Sequence, residues 1–438
     1  MLQLSSNKLY PRKIIDKIKE FLFGEEIIVV VGARQVGKTC ILQLLKEELL
    51  KNGIEEKSIY YFDLEDLSLL KVLNGGANEF LSYLSSIGVN LEGKTFIFID
   101  EIQHLDNPSN FLKIIGDHHK NIKLIVSGSS TFEIRKKFKD SLAGRKILFE
   151  VYPLDFSEFL LFKEKKVFYN LLLENNLFKI RTEGIEPDFE KLKFHADDFK
   201  RLFEEFTIYG GYPRTVLEPG YEKKVVYLTE IYNTYVKKDI KDLMRIDNVT
   251  AFNNLLQVLS LQVGNLLNYN SITADLQTAR DTIERYVFVL ENTFIAHFVP
   301  PYFTNRRKEI IKMPKIYFFD NGLRNVATKN FEAPETRVDA GALVENYVFT
   351  QLIKNLKTLE ELRFWRTLSK NEIDFIIMGQ NPVPVEIKYR PFKSPALPKG
   401  IRYFLKKYPV QQAFVLTKDF FARVEEGKTR IYFLPVWM

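Results

Sequence analysis

Residues 27–50, IIVVVGARQVGKTCILQLLKEELL, decide the amino-terminal fold. Ile27 to Val31 form a continuous β-branched run of the kind a fully buried parallel strand needs. Gly32-Ala33-Arg34-Gln35-Val36-Gly37-Lys38-Thr39 follows, and an amphipathic helix begins at once. Strand, G-x-x-x-x-G-K-T and helix together make a P-loop. Gly32 and Gly37 let the backbone close around phosphates, so that successive N–H groups and the helix N-terminus face an anion. Lys38 can reach the β- and γ-phosphates of ATP and Thr39 can ligate Mg²⁺. Cys40, the chain's single cysteine, completes the cradle as the next residue and is expected to be a small buried apolar group without chemistry of its own.

A second apolar run, TFIFIDE, ends in Asp100 and Glu101. In an open α/β sheet the carboxyl ends of the strands face the ligand. Asp100 is therefore expected to hold the magnesium through water, with Glu101 as general base. A further strand, KSIYYFDLED, lies between these motifs, and IKLIVSGSS follows them. Ser127 or Ser129 would then stand near the γ-phosphate, unless the serines only cap the turn. Arg145, before a last strand, is the candidate arginine for the nucleotide, from its own subunit or a neighbour. Oligomer formation stays open.

With 438 residues, 46% hydrophobic and 27% charged, the chain is globular and long enough for two or three domains. No apolar run approaches the ~20 residues that span a bilayer, and the start lacks a signal-peptide pattern. No membrane partner and a cytoplasmic location are expected. The net charge of +7 permits a polyanionic partner.

The motifs GARQVGKT, IFIDEIQHL, SGSS, LAGR, YPLDFSEFL, KIYFFDNGLRN, GALVENYVF and EIDFII with VPVEIK occur in this order. Together they resemble the bacterial and archaeal ATPases that join an AAA+-like P-loop domain to a carboxy-terminal domain of unknown function. The resemblance spans nearly the whole chain and implies ATP binding. The extra strand implies the additional-strand class of P-loop sheet. YGGYPRTVLEPG is similar to the glycine-x-proline element of lids in related ATPases, which implies that Pro213 contacts adenine and Arg214 acts as a sensor; a helix-breaking turn is the alternative.

From residue 250 the order helix, short helix, helix, two strands suits a winged helix-turn-helix. The second of its long helices mixes Asp281, Glu284 and Glu291 with Arg280 and Arg285, too acidic for base reading. The loop TNRRKEIIKMPK is the better DNA contact, as a basic wing of Arg306, Arg307, Lys308, Lys312 and Lys315.

In NEIDFIIM, alternation puts Ile373, Phe375 and Ile377 on one face and Glu372, Asp374 and Ile376 on the other. In VPVEIKYR it sets Glu386 and Lys388 opposite Val383, Val385 and Ile387. A hairpin would gather Asp374, Glu386 and Lys388 on one polar face. Two adjacent carboxylates call for a cation, and Glu345, on a mainly apolar helix, needs a partner. A second Mg²⁺ or Mn²⁺ held by Glu345, Asp374 and Glu386, with Lys388 activating water, is the expected site. Helix acid, strand Asp and Glu-x-Lys in this order resemble the PD-(D/E)xK nuclease-like fold. The basic, aromatic segment 388–409 would guide a nucleic-acid strand past it.

The expected organisation is α/β: an AAA+-like additional-strand P-loop ATPase domain at 1–160, a helical lid at 161–249, a winged-helix-like domain at 250–330 and a nuclease-like α/β domain at 331–438. The expected function is Mg²⁺-dependent ATP hydrolysis coupled to nucleic-acid binding or processing. The alternative is a nucleotide-dependent switch or partner-binding protein with a catalytically inactive nuclease-like fold.

Overall fold

A computed structural model describes residues 8–129, 144–236, 248–302 and 313–438. Contacts divide the chain into two compact units, one running from the amino terminus to Tyr152 and the other taking most of the remainder from Pro153 onward.

The first unit is a five-stranded parallel sheet. Its strands are β1 (Ile27–Gly32), β2 (Ile59–Asp63), β3 (Thr95–Asp100), β4 (Ile122–Ser129) and β5 (Lys146–Val151), in the order β2-β3-β4-β1-β5. β1, β3 and β4 are buried along their whole length, as sheets covered on both faces require. Helix α1 (Lys38–Lys51) packs Ile41, Leu42, Leu45 and Leu49 inward. Gly37 at its N-cap has φ 95°, a conformation that favours glycine. Gly32 has a different reason: a Cβ there would lie 2.3 Å from the Val151 carbonyl oxygen on β5. Helix α2 (Pro108–His118) starts with Pro108 at its first turn, after Asn107 accepts the Asn110 N–H.

The second unit is organised by buried polar contacts among the recurring motifs. Leu154 N–H donates to the Gly211 carbonyl at 2.8 Å, and the Gly211 N–H donates to Asp320 Oδ2 at 2.7 Å. Gly210 (φ 73°) and Gly211 have no room for a side chain: a Cβ would meet Asp320 Oδ1 at 2.2 Å or the Leu154 carbonyl at 2.3 Å. The glycines of YGGYP are thus explained by their clasp on Asp320. Asn346 bonds both the N–H and the carbonyl of Phe318, at 2.7 and 3.0 Å. Arg324, fully buried, donates to the Ser260 carbonyl at 2.9 Å and meets Asp339 at 2.6 Å. Burying these groups is tolerable because each has partners.

Around this network stand helices α3 (Ala196–Tyr209), α4 (Pro213–Leu217), α5 (Tyr221–Thr234), α6 (Val249–Leu261), α7 (Tyr269–Leu276) and α8 (Arg280–Asn292). An antiparallel pair follows, β6 (Ala296–Val299) with β7 (Lys315–Phe318), and then α9 (Asn321–Thr328). The carboxy-terminal part runs α10 (Ala340–Lys354), β8 (Glu361–Arg366), β9 (Glu372–Met378), β10 (Val383–Lys388), α11 (Lys399–Lys407), β11 (Gln412–Thr417), β12 (Ala422–Glu426) and β13 (Thr429–Pro435). Its strands form one mixed sheet, ordered β12-β13-β11-β10-β9-β8. β8, β9 and β10 are an antiparallel meander, and β10 pairs parallel with β11.

Strict alternation fails on β9. Arg363 faces Ile376 and Trp365 faces Ile373, so Asp374 and Phe375 together oppose Phe364, a β-bulge. Ile373 and Ile376 therefore share one core cluster with Ile401 and Phe404 of α11. Phe375, expected beside Ile373, packs instead on Tyr317 at 5.0 Å and Phe349 at 6.4 Å. The tryptophans are packing residues: Trp365 belongs to that core cluster and Trp437 stacks on Phe199 at 4.3 Å.

Gly211→Ala is expected to lower stability by about 2–3 kcal/mol through overpacking. Gly341→Ala, where a Cβ meets open space, should raise it by about 0.5 kcal/mol as a helical glycine-to-alanine change. Urea denaturation of both variants checks the opposite signs.

Candidate functional site

In the first unit the P-loop and the acidic end of β3 meet. Thr39 Oγ1 donates to Asp100 Oδ2 at 2.7 Å, and Asp100 is buried. Tyr61 on β2 also donates to Asp100 Oδ2, at 2.7 Å, and Ser127 on β4 bonds its other carboxylate oxygen. Burial, followed by the Asp100 charge and hydrogen bond, pushes the Tyr61 hydroxyl far above its ordinary value, so it stays a donor. Ser127 thus holds Asp100. Ser129, the cross-strand partner of Gly32, has a buried Oγ with no partner among the described residues.

Lys38, buried, donates to the carbonyls of Gly32 and Ala33 at 3.2 and 3.0 Å. Between them and the helix, Arg34, Gln35 and Val36 carry the loop, with Gln35 at φ 61°. Arg12, which sequence reading passed over, donates to the Val36 carbonyl and the Tyr152 carbonyl, both at 2.9 Å. It braces the loop against the end of β5. Cys40 is exposed, contrary to expectation, because the buried face of α1 is carried by its leucines and isoleucine.

Glu101 sits at φ 56°, a left-handed conformation rare for such a residue. Gln103 holds its carboxylate and accepts the Ser129 N–H at 3.1 Å. Arg145 is placed differently from expectation. It precedes β5 and pairs with Asp117 of α2 at 2.5 Å, while β5 runs parallel to β1 from Lys146 opposite Ile27 to Val151 opposite Gly32. Arg145 thus lies about 17–20 Å of strand away from the P-loop edge, which excludes it from the nucleotide of its own subunit.

In the second unit Arg214 is exposed and lies over the Tyr227 ring at 3.9 Å. Pro213 opens α4 as its first residue. Of the proposed basic wing, Arg306, Arg307, Lys308 and Lys312 lie outside the described residues.

Lys315 belongs to another site altogether. It is 2% exposed and stands among the carboxy-terminal acids, donating to Glu345 Oε1 at 3.2 Å, contacting Glu372, and lying 3.9 Å from Asp374 Oδ1. Tyr317, also on β7, donates to Glu345 Oε1 at 2.6 Å. Asp374 Oδ2 accepts the Ile387 N–H at 2.7 Å. Lys388 pairs with Glu386, and the other Glu386 oxygen is buried without a partner among the described residues. Arg366 approaches Glu372 at 3.6 Å.

The expected second metal is not supported. Glu345, Asp374 and Glu386 do not converge as a metal-ligand group, and no three acids, histidines or cysteines do so among the described residues. An ammonium sits between Glu345, Glu372 and Asp374 instead. Burial, then the Glu386 and Glu345 charges, raises the Asp374 carboxyl well above the usual range, and burial likewise raises Glu386. Burial acts to lower Lys315 and Lys388, but the surrounding carboxylates outweigh it and both are held above the ordinary lysine value. A separate groove, lined by Arg181, Tyr302, Glu360, Arg363 and Gln412, shares no residue with this cluster.

Residues 24–160 match the family model of an AAA domain. Residues 200–334 and 340–437 match two domains of unknown function, DUF8612 and DUF4143. The first unit is thus an AAA-type P-loop ATPase-like domain. Among individual proteins, the chain is 26% identical over 384 residues to the uncharacterized protein MJ1544 of Methanocaldococcus jannaschii, covering 86% of this chain and 78% of that one. It is 24% identical over 367 residues to an uncharacterized protein of Haemophilus influenzae, covering 83% and 82%. Among solved structures, the Walker-type ATPase PABY2304 of Pyrococcus abyssi aligns with a TM-score of 0.47 and 15% identity, over 73% of this chain and 95% of that one. No helix among the described residues is long and apolar enough to cross a membrane.

The raised Asp374 value gives a signed expectation. A carboxyl whose folded pKa exceeds its unfolded one contributes stability below about pH 4 that is lost as pH rises through the folded value. Asp374→Asn, which keeps an acceptor for the Ile387 N–H, should therefore be more stable than the parent at pH 8 by about 1–3 kcal/mol. The difference should shrink toward pH 4, as read from urea midpoints across pH.

Proposed function

We propose that the protein is a Mg²⁺-dependent ATPase, with nucleotide hydrolysis at the P-loop edge of the first unit. The observation that carries this reading is the Thr39–Asp100 hydrogen bond of 2.7 Å beside the buried Lys38. It sets a hydroxyl and a carboxylate, both hard oxygen donors, where magnesium with ATP would lie. Thr39 would hold the ion directly and Asp100 through water. Bound Mg²⁺ would supply charge neutralisation across the β- and γ-phosphate oxygens.

The chain's own groups do the rest. Gly37, at φ 95°, turns the loop so that its N–H groups and those of the first turn of α1 face the phosphates. Lys38 exchanges the Gly32 and Ala33 carbonyls for phosphate oxygens. Glu101 accepts the proton of the attacking water, and Gln103 fixes the position of its carboxylate. Gln103 also binds the tip of β4, so a change at Ser129, whose Oγ has no partner among the described residues and suits a γ-phosphate oxygen, reaches the base. Ser127 and Tyr61 keep Asp100 oriented.

The work coupled to hydrolysis is read as nucleic-acid contact without cutting. The order α10-β8-β9-β10-α11-β11, with Glu345, Asp374 and Glu-x-Lys on it, favours a nuclease-like ancestry. The outer side of α11 presents exposed Arg402, Lys406 and Lys407, with Tyr403 54% exposed among them. Cations interleaved with an aromatic ring suit a phosphate backbone and its bases.

Lys38→Ala should lose ATP turnover by at least about a hundredfold, and Glu101→Gln should lose as much while still binding ATP. Phosphate release and calorimetric ATP titration check both. Turnover by Lys38→Ala equal to the parent would remove the reading.

A further inference from the structure

We infer that Lys315 is the built-in cation of the carboxy-terminal acid cluster, occupying the position a divalent metal would need and closing the site to one. The inference rests on the geometry of the second unit alone, so its failure would leave the ATPase reading untouched.

Four carboxylates gather here: Glu345 from α10, Glu372 and Asp374 from β9, and Glu386 from β10. Three cations face them: Lys315 from β7, Lys388 from β10 and Arg366 from β8. The cluster's acids thus have cations of the same chain for neighbours, with no added ion. Lys315 has the central place, since its Nζ reaches Glu345, Glu372 and the vicinity of Asp374 at once. An ion bound by both Glu345 and Asp374 would have to share the space beside their oxygens with that ammonium. Two cations that close exclude one another at low effective dielectric.

The position of Lys315 is not that of a side chain folded back from the surface. Its side chain is 2% exposed and its residue begins β7, paired with Val299 on β6 and bridged to Leu266. Its stem lies by the Phe364 ring, with Nζ 5.6 Å from the centroid. Gly264 at φ 76° brings bare backbone against Glu345, where a Cβ would come within 3.0 Å of both carboxylate oxygens. The Gly264 N–H also donates to the Ile316 carbonyl at 3.0 Å. The turn after α6, β7 and α10 are thus fitted to one another around the Lys315–Glu345 pair. Through Glu345 and Glu372, Lys315 therefore joins the α6–β7 segment to α10 and to the carboxy-terminal sheet, so the acids have a structural partner where a nuclease would hold its metal.

The test uses the full chain without nucleotide, titrated with Mn²⁺ by calorimetry and by thermal unfolding. The parent and Asp374→Asn should give the same response, because no Mn²⁺ reaches this cluster. Lys315→Met, which keeps the stem and removes the charge, should bind one additional Mn²⁺ at least about tenfold more tightly than the parent binds any at this cluster. That gain should disappear in Lys315→Met/Asp374→Asn. Should Lys315→Met fail to fold alone, rescue of its folding by Mn²⁺, or Mn²⁺ binding by Lys315→Met/Glu372→Gln, gives the same support. Mn²⁺ binding by the parent that Asp374→Asn abolishes would overturn the inference, as would folded charge-removed variants that gain no Mn²⁺.

Discussion

The Asp100 carboxylate is the point on which the first unit turns. It accepts from Thr39 at the start of α1, from Tyr61 on β2 and from Ser127 on β4, while its own strand carries Glu101 onward into the turn. One buried charge thereby ties the phosphate-binding loop to three neighbouring strands. A buried carboxylate left unpaired would be costly, so the hydroxyl donors are as much a part of its placement as the strand. The same carboxylate lies at the carboxyl edge of the sheet, where ligands of open α/β folds bind. Stability and site geometry therefore depend on one group, and the loop's brace, Arg12, acts from outside it on the Val36 carbonyl.

The second unit meets the problem of buried charge in another way. Its acids are paired with lysines and an arginine of the same chain, and Gly210 and Gly211 allow close approach to Asp320 and to the Leu154 carbonyl. Buried ion pairs add little net stability over apolar packing but are expensive to break. Such a network specifies which segments must meet. Leu154, Gly211, Asp320, Asn321 and Asn346 come from four separate stretches of sequence, and their hydrogen bonds fix those stretches together.

The P-loop unit was legible in sequence because its signal is local. A β-branched run, two glycines, Lys38 and Thr39 sit within one strand-loop-helix, and Asp100 ends an equally plain strand. Arg12 and Tyr61 were not legible, since their targets are a carbonyl and a carboxylate far along the chain. For Arg145, position before a strand says nothing about which sheet edge the residue occupies; the parallel register of β5 with β1 sets it at the end of the strand away from its own P-loop. On β9 a single bulge in the pairing with β8 interrupts the alternation that had separated Phe375 from Asp374. Lys315 was the largest reassignment. In sequence it closes a basic run, but residue 315 is already strand, and its side chain turns inward to acids thirty and more residues away.

The central claim is a division of cations: a divalent ion beside Thr39 and Asp100 with nucleotide, and a lysine among Glu345, Glu372 and Asp374. Its most direct test is anomalous diffraction from crystals of the full chain grown with Mn²⁺ and a non-hydrolysable ATP analogue. The account predicts a manganese peak within coordination distance of Thr39 Oγ, and none within the Glu345, Asp374 and Glu386 cluster. A manganese peak bound by Asp374 and Glu386, or nucleotide bound with no manganese at Thr39, would contradict it.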